Sequence, residues 1–390
     1  MPPNNQRGKF DSLTVPHKKR PGVFENLNAR SDFVLFVVTF LLSFFGLVLI
    51  SSAGIARSMA VYGESYYYLT HQFFYGFLPG VVVWFIFQNV DYKFWRKLAF
   101  PLFLVSVILL IIVFIPGLGM TVKGAQRWIH LGVFSFQPTE ICKFALIIYL
   151  SAWLASSKQN IQGSLQGFIG FLFILGILGG LIMSQPDMGT LGIIVVIACA
   201  VYFVSGARFI FLLSILLGGI FSFFALIKMA PYRLQRLTSF MDPGSDPQGL
   251  GYQINQSLIA LGSGGWEGVG LGHGRQKFNY LPEPVGDSIF AILGEEMGLI
   301  GCSILILLFL ILAWRGFVIA KNAPDLFGKL LATGITTWFV FQAFINIAAI
   351  SALIPLTGVP IPFISYGGSA LTFSMAAMGI MLNISKQIKR

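Results

Sequence analysis

Runs of about twenty apolar residues recur along this chain, separated by short polar or Pro/Gly interruptions, and that repetition limits what it can fold into. A helix needs roughly 20 apolar residues to cross the hydrocarbon core of a bilayer. Ten such runs are predicted to span: 33–53, 72–90, 98–116, 136–155, 167–184, 188–204, 208–229, 287–314, 330–350 and 366–384. The composition agrees, with 56% hydrophobic and 11% charged residues, against the roughly 25% charge of a soluble domain. The expected fold class is an all-α polytopic membrane protein. "MSQPDMGT" reads as the turn between the fifth and sixth spans, because Pro186 and Gly189 interrupt the run. The eighth span is longer than a bilayer requires, so it is expected to tilt or to project beyond it.

Lysine and arginine orient the bundle, since cytoplasmic loops carry their excess. With the N-terminus in the cytoplasm, the inner segments hold 17 of these residues and the outer segments 7, while Lys143 and Lys228 fall within or at the end of a span. Both termini are then cytoplasmic. The net charge of +11 reflects this bias and an attraction to anionic membrane lipids; it does not argue for nucleic acid. Residues 1–31 are polar and basic and contain Pro2, Pro3, Pro16 and Pro21, the composition of a disordered tail. Residues 32–390 read as a single transmembrane domain. No cleavable signal peptide is expected, because the first apolar run has full spanning length. Cys142, Cys199 and Cys302 lie in predicted spans without metal-ligand spacing. The glycines of "GSGGWEGVGLGHG" do not form the dinucleotide fingerprint.

On this topology one outer segment is large, residues 230–286. Its aromatic and aliphatic content argues against disorder, and "YQINQSLIALG" has helical apolar spacing suited to a membrane interface. At its start Arg233 and Arg236 share a face if "PYRLQRLTSFMDP" is helical. Two readings of that pair stand. Spacing alone favours headgroup anchoring by snorkelling; bidentate binding of a phosphate or diphosphate is the other. Lys123 and Arg127, in the outer segment before the fourth span, add positive charge to the same side. Within that span Glu140 and Lys143 are three apart and share a face, either as a structural ion pair or as part of a wet cavity.

The loop ends in "FNYLPEPVGDSIFAILGEEMG". Pro282 and Pro284 hold the approach extended, Glu283 adds a carboxylate, and Asp287 stands at the start of the eighth span. Asp287 reads structurally as a helix N-cap. Chemically it reads as a carboxylate at the outer mouth near arginines, as a transfer reaction on a lipid-linked phosphate requires. Glu295 and Glu296 are expected deeper, in the middle or inner half of the span, paired or protonated.

Six stretches occur in family order from about residue 32 to 384: "GAQRWIHLGVFSFQPTEICK", "SQPDMGT", "PYRLQRLTSFMDP", "GYQINQSLIALGSGG", "YLPEPVGDSIFAILGEEMG" and "GVPIPFISYGGSAL". Together they resemble the SEDS family of ten-span peptidoglycan glycosyltransferases, typified by FtsW and RodA. The resemblance implies polymerisation of lipid II outside the bacterial cytoplasmic membrane. β-1,4 bonds form with inversion, and undecaprenyl pyrophosphate is released. It implies Asp287 as the essential acid, Glu140 and Lys143 as a buried pair near the cavity, and Arg233 as a phosphate contact. Arg236, Lys123, Arg127 and Glu283 complete the candidate substrate-binding set. Many relatives carry His-Thr-Asp where this chain has Val285, Gly286 and Asp287, so no role of the missing polar pair carries over. Whether Asp287 acts as a base directly or through a divalent cation, Mg or Mn, stays open, and no ligand spacing specifies a metal. The resemblance also implies a class B penicillin-binding protein as partner, meeting spans eight and nine and the large loop, and other proteins of the division machinery. The basic tail and the wording around Asp287 lie closer to the division-type branch than to the elongation-type RodA. A flippase for the lipid-linked precursor and a non-catalytic scaffold are the competing classes.

Overall fold

The computed structural model describes residues 31–122, 125–131, 134–156, 163–229, 231–242 and 249–388. The disorder expected of the N-terminal tail therefore falls outside the described residues. Helix α1 is Phe33–Ala53, α2 Ile55–Tyr62 and α3 Tyr67–Gln72, which runs through a π-helical turn, Phe73–Phe77, into α4, Leu78–Asn89; α5 is Tyr92–Ile112. Three short strands follow, β1 Gly119–Val122, β2 Ala125–Leu131 and β3 Phe134–Phe136. Then come α6 Pro138–Ser156, α7 Leu165–Ser184, α8 Met188–Val204, α9 Phe209–Met229, α10 Pro231–Met241 and α11 Leu250–Gly264. The chain closes with α12 Ile289–Asn322, α13 Leu326–Ile350 and α14 Gly368–Lys386.

Among the described residues eight helices are long and apolar enough to cross a membrane, and two shorter apolar stretches, Met188–Val204 and Phe209–Ser222, accompany them. These ten fall on the ten predicted runs. Large apolar side chains such as Phe33, Phe173, Phe209 and Phe221 point outward, more than two-thirds exposed, a surface that water would not tolerate and lipid does. Polar side chains set the helix starts. Asp32, Asp91, Ser164, Asp187 and Asp325 each accept a backbone N–H of the following first turn. Asp91 thus starts α5 six residues before the apolar run suggested. The turn at residues 185–187 lies where the sequence placed it.

Contacts between distant residues define two ends. At the near end Asp32 meets Arg315, Tyr92 N–H donates to Asn383 Oδ1 at 2.8 Å, and Lys386 Nζ donates to Gln88 O at 3.1 Å. At the far end lie the C-terminus of α1, the strands, the 185–189 turn and the irregular segments 265–288 and 351–367.

The helical fold class is met with one addition, and one expectation is corrected. The far end carries an antiparallel β1-β2-β3 sheet, with Met120 opposite Trp128 and Ile129 opposite Phe136, so the fold is helical with a small sheet added. Thr121, Val122, Trp128, Ile129 and Phe136 are β-branched or aromatic and suit a pleated ribbon. The eighth span is also not one tilted helix. Gly298, with φ 59° and ψ −161°, breaks α12 into a half-helix, 289–297, and a crossing helix, 299–322, roughly 36 Å long at 1.5 Å per residue. Glu295 and Glu296 end the half-helix at the far end, level with Ser52 near the end of α1, rather than deep in the span. The loop after α11 satisfies the break: Val269 and Gly270 N–H donate to Glu295 O and Glu296 O, both at 3.0 Å, and Leu299 and Ile300 N–H to Gly265 O and Trp266 O at 2.9 and 3.1 Å. A buried helix break leaves backbone groups that require such partners.

Candidate functional site

The site is built on the backbone around Asp287. Leu281 and Val285 are buried apolar anchors, and between them the chain turns tightly, with Glu283 at φ 50° and Gly286 N–H donating to Glu283 O at 3.0 Å. The helix begins at Ile289, and Ser288 occupies the cap position. Asp287 is therefore not the N-cap, which corrects that expectation. Ser288 does not cap with its side chain either; its Oγ accepts from Gln253 Nε2 at 3.0 Å, tying the turn to α11.

Three polar groups hold residues 285–287 from the opposite side. Asn346 Nδ2, in the last turns of α13, donates to Asp287 O at 2.8 Å and to Val359 O at 2.7 Å. Ser365 Oγ donates to Gly286 O at 2.7 Å and accepts from Ile361 N at 2.9 Å. Tyr366 N–H donates to Val285 O at 2.8 Å, and its hydroxyl pairs with His71 Nδ1 at 2.9 Å. The Asp287 side chain is part-exposed and faces Gly358, where an added Cβ would stand 3.6 Å from Asp287 Oδ2. Gly358 also has φ 67°, so glycine answers both the backbone geometry and the close approach.

The predicted cations gather around the same segment to different degrees. α10 is helical, the condition under which Arg233 and Arg236 share a face. Arg236 Nη1 donates to Leu356 O at 3.0 Å and Thr357 O at 3.5 Å, immediately before Gly358, so Arg236 and Asp287 flank one stretch of backbone. Arg233 lies one turn earlier on α10, with its side chain outside the description, and Lys123 falls outside the described residues. Arg127 donates to Gln185 O at 3.1 Å and to Pro186 O, and its Nε stands 4.0 Å from Asp187. That turn abuts the segment, since a Cβ on Gly189 would lie 2.8 Å from Thr357 O.

Glu283 pairs with Arg57 of α2 at 3.2 Å, a partner that sequence reasoning missed because nothing local to either residue marks it. Burial works against the Arg57 charge, and Glu283 and Tyr68 outweigh it, holding the guanidinium above its ordinary range.

Glu140 and Lys143 form the buried pair anticipated from their spacing, at 2.8 Å. Lys143 Nζ also donates to Gln342 Oε1 at 2.7 Å, which accepts from Trp338 Nε1 at 2.8 Å. Gln342 Nε2 donates to Pro360 O at 2.8 Å. Gln342 and Asn346, four apart on α13, are two rungs that hold the 359–360 backbone and the Asp287 turn. Four buried polar atoms in these surroundings have no hydrogen-bond partner among the described residues: Thr139 Oγ1, Gln185 Oε1, Asn346 Oδ1 and Thr357 Oγ1. Such orphans are rare and mark sites that take water, ions or ligand. A part-exposed carboxylate, a polar lining and guanidinium groups close by can remove a proton from a hydroxyl and stabilise negative charge on a leaving group.

A family profile described as cell cycle protein, covering FtsW, RodA and SpoVE, matches residues 32–390. Stage V sporulation protein E of Bacillus subtilis (strain 168) is 43% identical over 356 residues, 91% of this chain and 97% of that one. A probable peptidoglycan glycosyltransferase FtsW of Trichlorobacter lovleyi is 40% identical over 361 residues, 93% and 94% of the two chains. Among solved structures, a chain from "Structural coordination of polymerization and crosslinking by a peptidoglycan synthase complex" is similar with a TM-score of 0.74 at 25% identity, covering 92% of this chain and 98% of that one. The rod shape determining protein RodA of Thermus thermophilus shares the fold, with a TM-score of 0.67, 24% identity and coverage of 92% and 98%. With the eight long apolar helices among the described residues, this likeness makes the chain an integral membrane protein.

Proposed function

Because the chain belongs to the cell cycle protein family of FtsW, RodA and SpoVE, we propose that it is a peptidoglycan glycosyltransferase that polymerises lipid II, with Asp287 as the reacting carboxylate. The observation that carries this reading is the Asp287 turn, held through its backbone by Asn346, Ser365 and Tyr366 while its side chain faces Gly358. In the reaction the acceptor hydroxyl attacks the anomeric carbon of the lipid-linked donor. A β-1,4 bond forms, the bond to the diphosphate breaks with inversion, and Asp287 takes the hydroxyl proton. The departing diphosphate gains negative charge, which the cationic side of the segment, Arg236 with Arg233, Arg127 and Lys123, is suited to stabilise.

The far end is extracytoplasmic on this reading, with both termini inside, because the Lys and Arg bias of 17 to 7 runs that way. Were a divalent cation bound, Asp287 is the carboxylate that would hold it. Mg²⁺ characteristically uses one or two carboxylates together with substrate phosphates, and no group of three or more His, Cys, Asp or Glu converges among the described residues. The bound ion would supply charge neutralisation of the leaving group. The partner on this reading is a class B penicillin-binding protein seated on α12, α13 and the loop before them, and the role is wall synthesis in cell division, with sporulation the second reading that the name of the Bacillus relative favours.

The test is glycan synthesis from lipid II by the purified protein with its partner, followed by gel, with and without chelator. Glycan strands support the reading. Movement of lipid II across vesicle membranes without polymer would favour the flippase, the class that buried pairs such as Glu140 and Lys143 also suit.

A further inference from the structure

Two adjacent acids end the half-helix 289–297, and a helix C-terminus is where negative charge is least favoured. Both are buried, Glu295 at 3% exposure and Glu296 at 1%, and the loop 265–277 compensates each of them. Glu295 accepts the backbone N–H of Arg275 at 2.7 Å and of Gln276 at 3.2 Å. Glu296 accepts Lys277 Nζ at 2.7 Å and Ser52 Oγ at 2.7 Å. Lys277 Nζ also donates to Ser52 Oγ at 3.0 Å and to Gly272 O at 2.8 Å. The loop that caps the break at Gly298 thus also carries the counter-charge, and Ser52 fastens both to α1.

A buried ion pair adds little net stability, because desolvation offsets the attraction, and packed apolar residues often serve a purely structural purpose as well. What the pair does supply is a fixed geometry. Asp287 lies at the opposite end of the half-helix, roughly 14 Å away along the chain at 1.5 Å per residue. Its own turn is pinned by α13 and the 359–366 segment, so the half-helix is clamped at both ends.

We propose that Lys277 and Glu296, with Ser52, are positioning residues for glycosyl transfer. They lock the 265–277 loop, the half-helix and α1 into one body and so fix where Asp287 meets the acceptor hydroxyl. This rests on the glycosyltransferase reading above. A displacement of about 1 Å from a distant substitution costs on the order of a hundredfold in rate.

The test compares wild type with the double variant Lys277→Met/Glu296→Leu, which removes both charges and leaves neither one buried alone, each purified with its partner and assayed on lipid II. The expected result is a monodisperse double variant whose kcat falls about ten- to a hundredfold while KM stays within about twofold. Any other pattern in an active, folded variant overturns the proposal: wild-type kcat, or a raised KM with kcat unchanged. If the variant does not fold, hydrogen exchange on the wild type decides. Amides of 289–293 and of 295–300 opening together support the clamp, and 289–293 opening independently overturns it. A wild type that makes no glycan sinks the functional reading instead, while the exchange measurement still reports on the clamp.

Discussion

On the proposed reading Asp287 supplies the reacting carboxylate, and its placement depends on side chains that hold the backbone of its turn. Asn346→Ala removes the donor to both Asp287 O and Val359 O. The expected cost is about 1–3 kcal/mol for the stranded carbonyls, read as a lowered Tm, with polymerisation falling further than the stability loss explains. Lys143→Met strands Glu140, while Gln342 Oε1 keeps Trp338 Nε1 as its donor, and is expected to cost about 3–5 kcal/mol. Adding Glu140→Gln should recover much of that loss, and thermal unfolding of the single and double variants checks it. The Glu140 and Lys143 pair was legible from sequence because a spacing of three on a helix places two side chains together whatever the tertiary fold. The pairing of Glu283 with Arg57, and of Glu296 with Lys277 and Ser52, joins segments far apart in the chain, and no local pattern announces it. Arg236 was legible as a cation near the site, but not as the residue that fastens the Leu356 and Thr357 carbonyls.

At the scale of elements, the apolar runs located the spanning helices because in lipid the backbone must bond within its own segment. The break at Gly298 escaped that logic. Glycine is common in transmembrane helices, and what makes this one a break is a loop some thirty residues earlier that supplies the caps. Its backbone angles are available essentially to glycine alone, at a cost of about 1–3 kcal/mol for other residues, and a Cβ there would meet the Gly268 nitrogen at 2.5 Å. Gly298→Ala should therefore lower Tm and reduce polymerisation, whereas Gly180→Ala in α7, where an added Cβ meets nothing within 4 Å, should change neither. Parallel thermal scans and lipid II assays on the two variants check this. The small sheet was missed for a related reason: its strands are three to seven residues long, too short for periodicity to register.

At the scale of the whole molecule, the strands, the broken helix and the 351–367 segment converge on the end opposite the N-terminus of α1. The charge bias then sets which side of the membrane that end faces. A membrane-impermeant thiol reagent should label Tyr280→Cys at the far end in intact cells stripped of outer barriers. Leu326→Cys at the near end should react only after lysis. Both positions are exposed, at 55% and 38%, so the protein itself shields neither. The most direct test of the central claim is lipid II polymerisation by Asp287→Asn beside wild type, both purified with the partner and matched in Tm. A loss of glycan synthesis of about 10²-fold or more is the outcome this account predicts for a proton acceptor in the reaction. Strands made by the folded variant at the wild-type rate would contradict it.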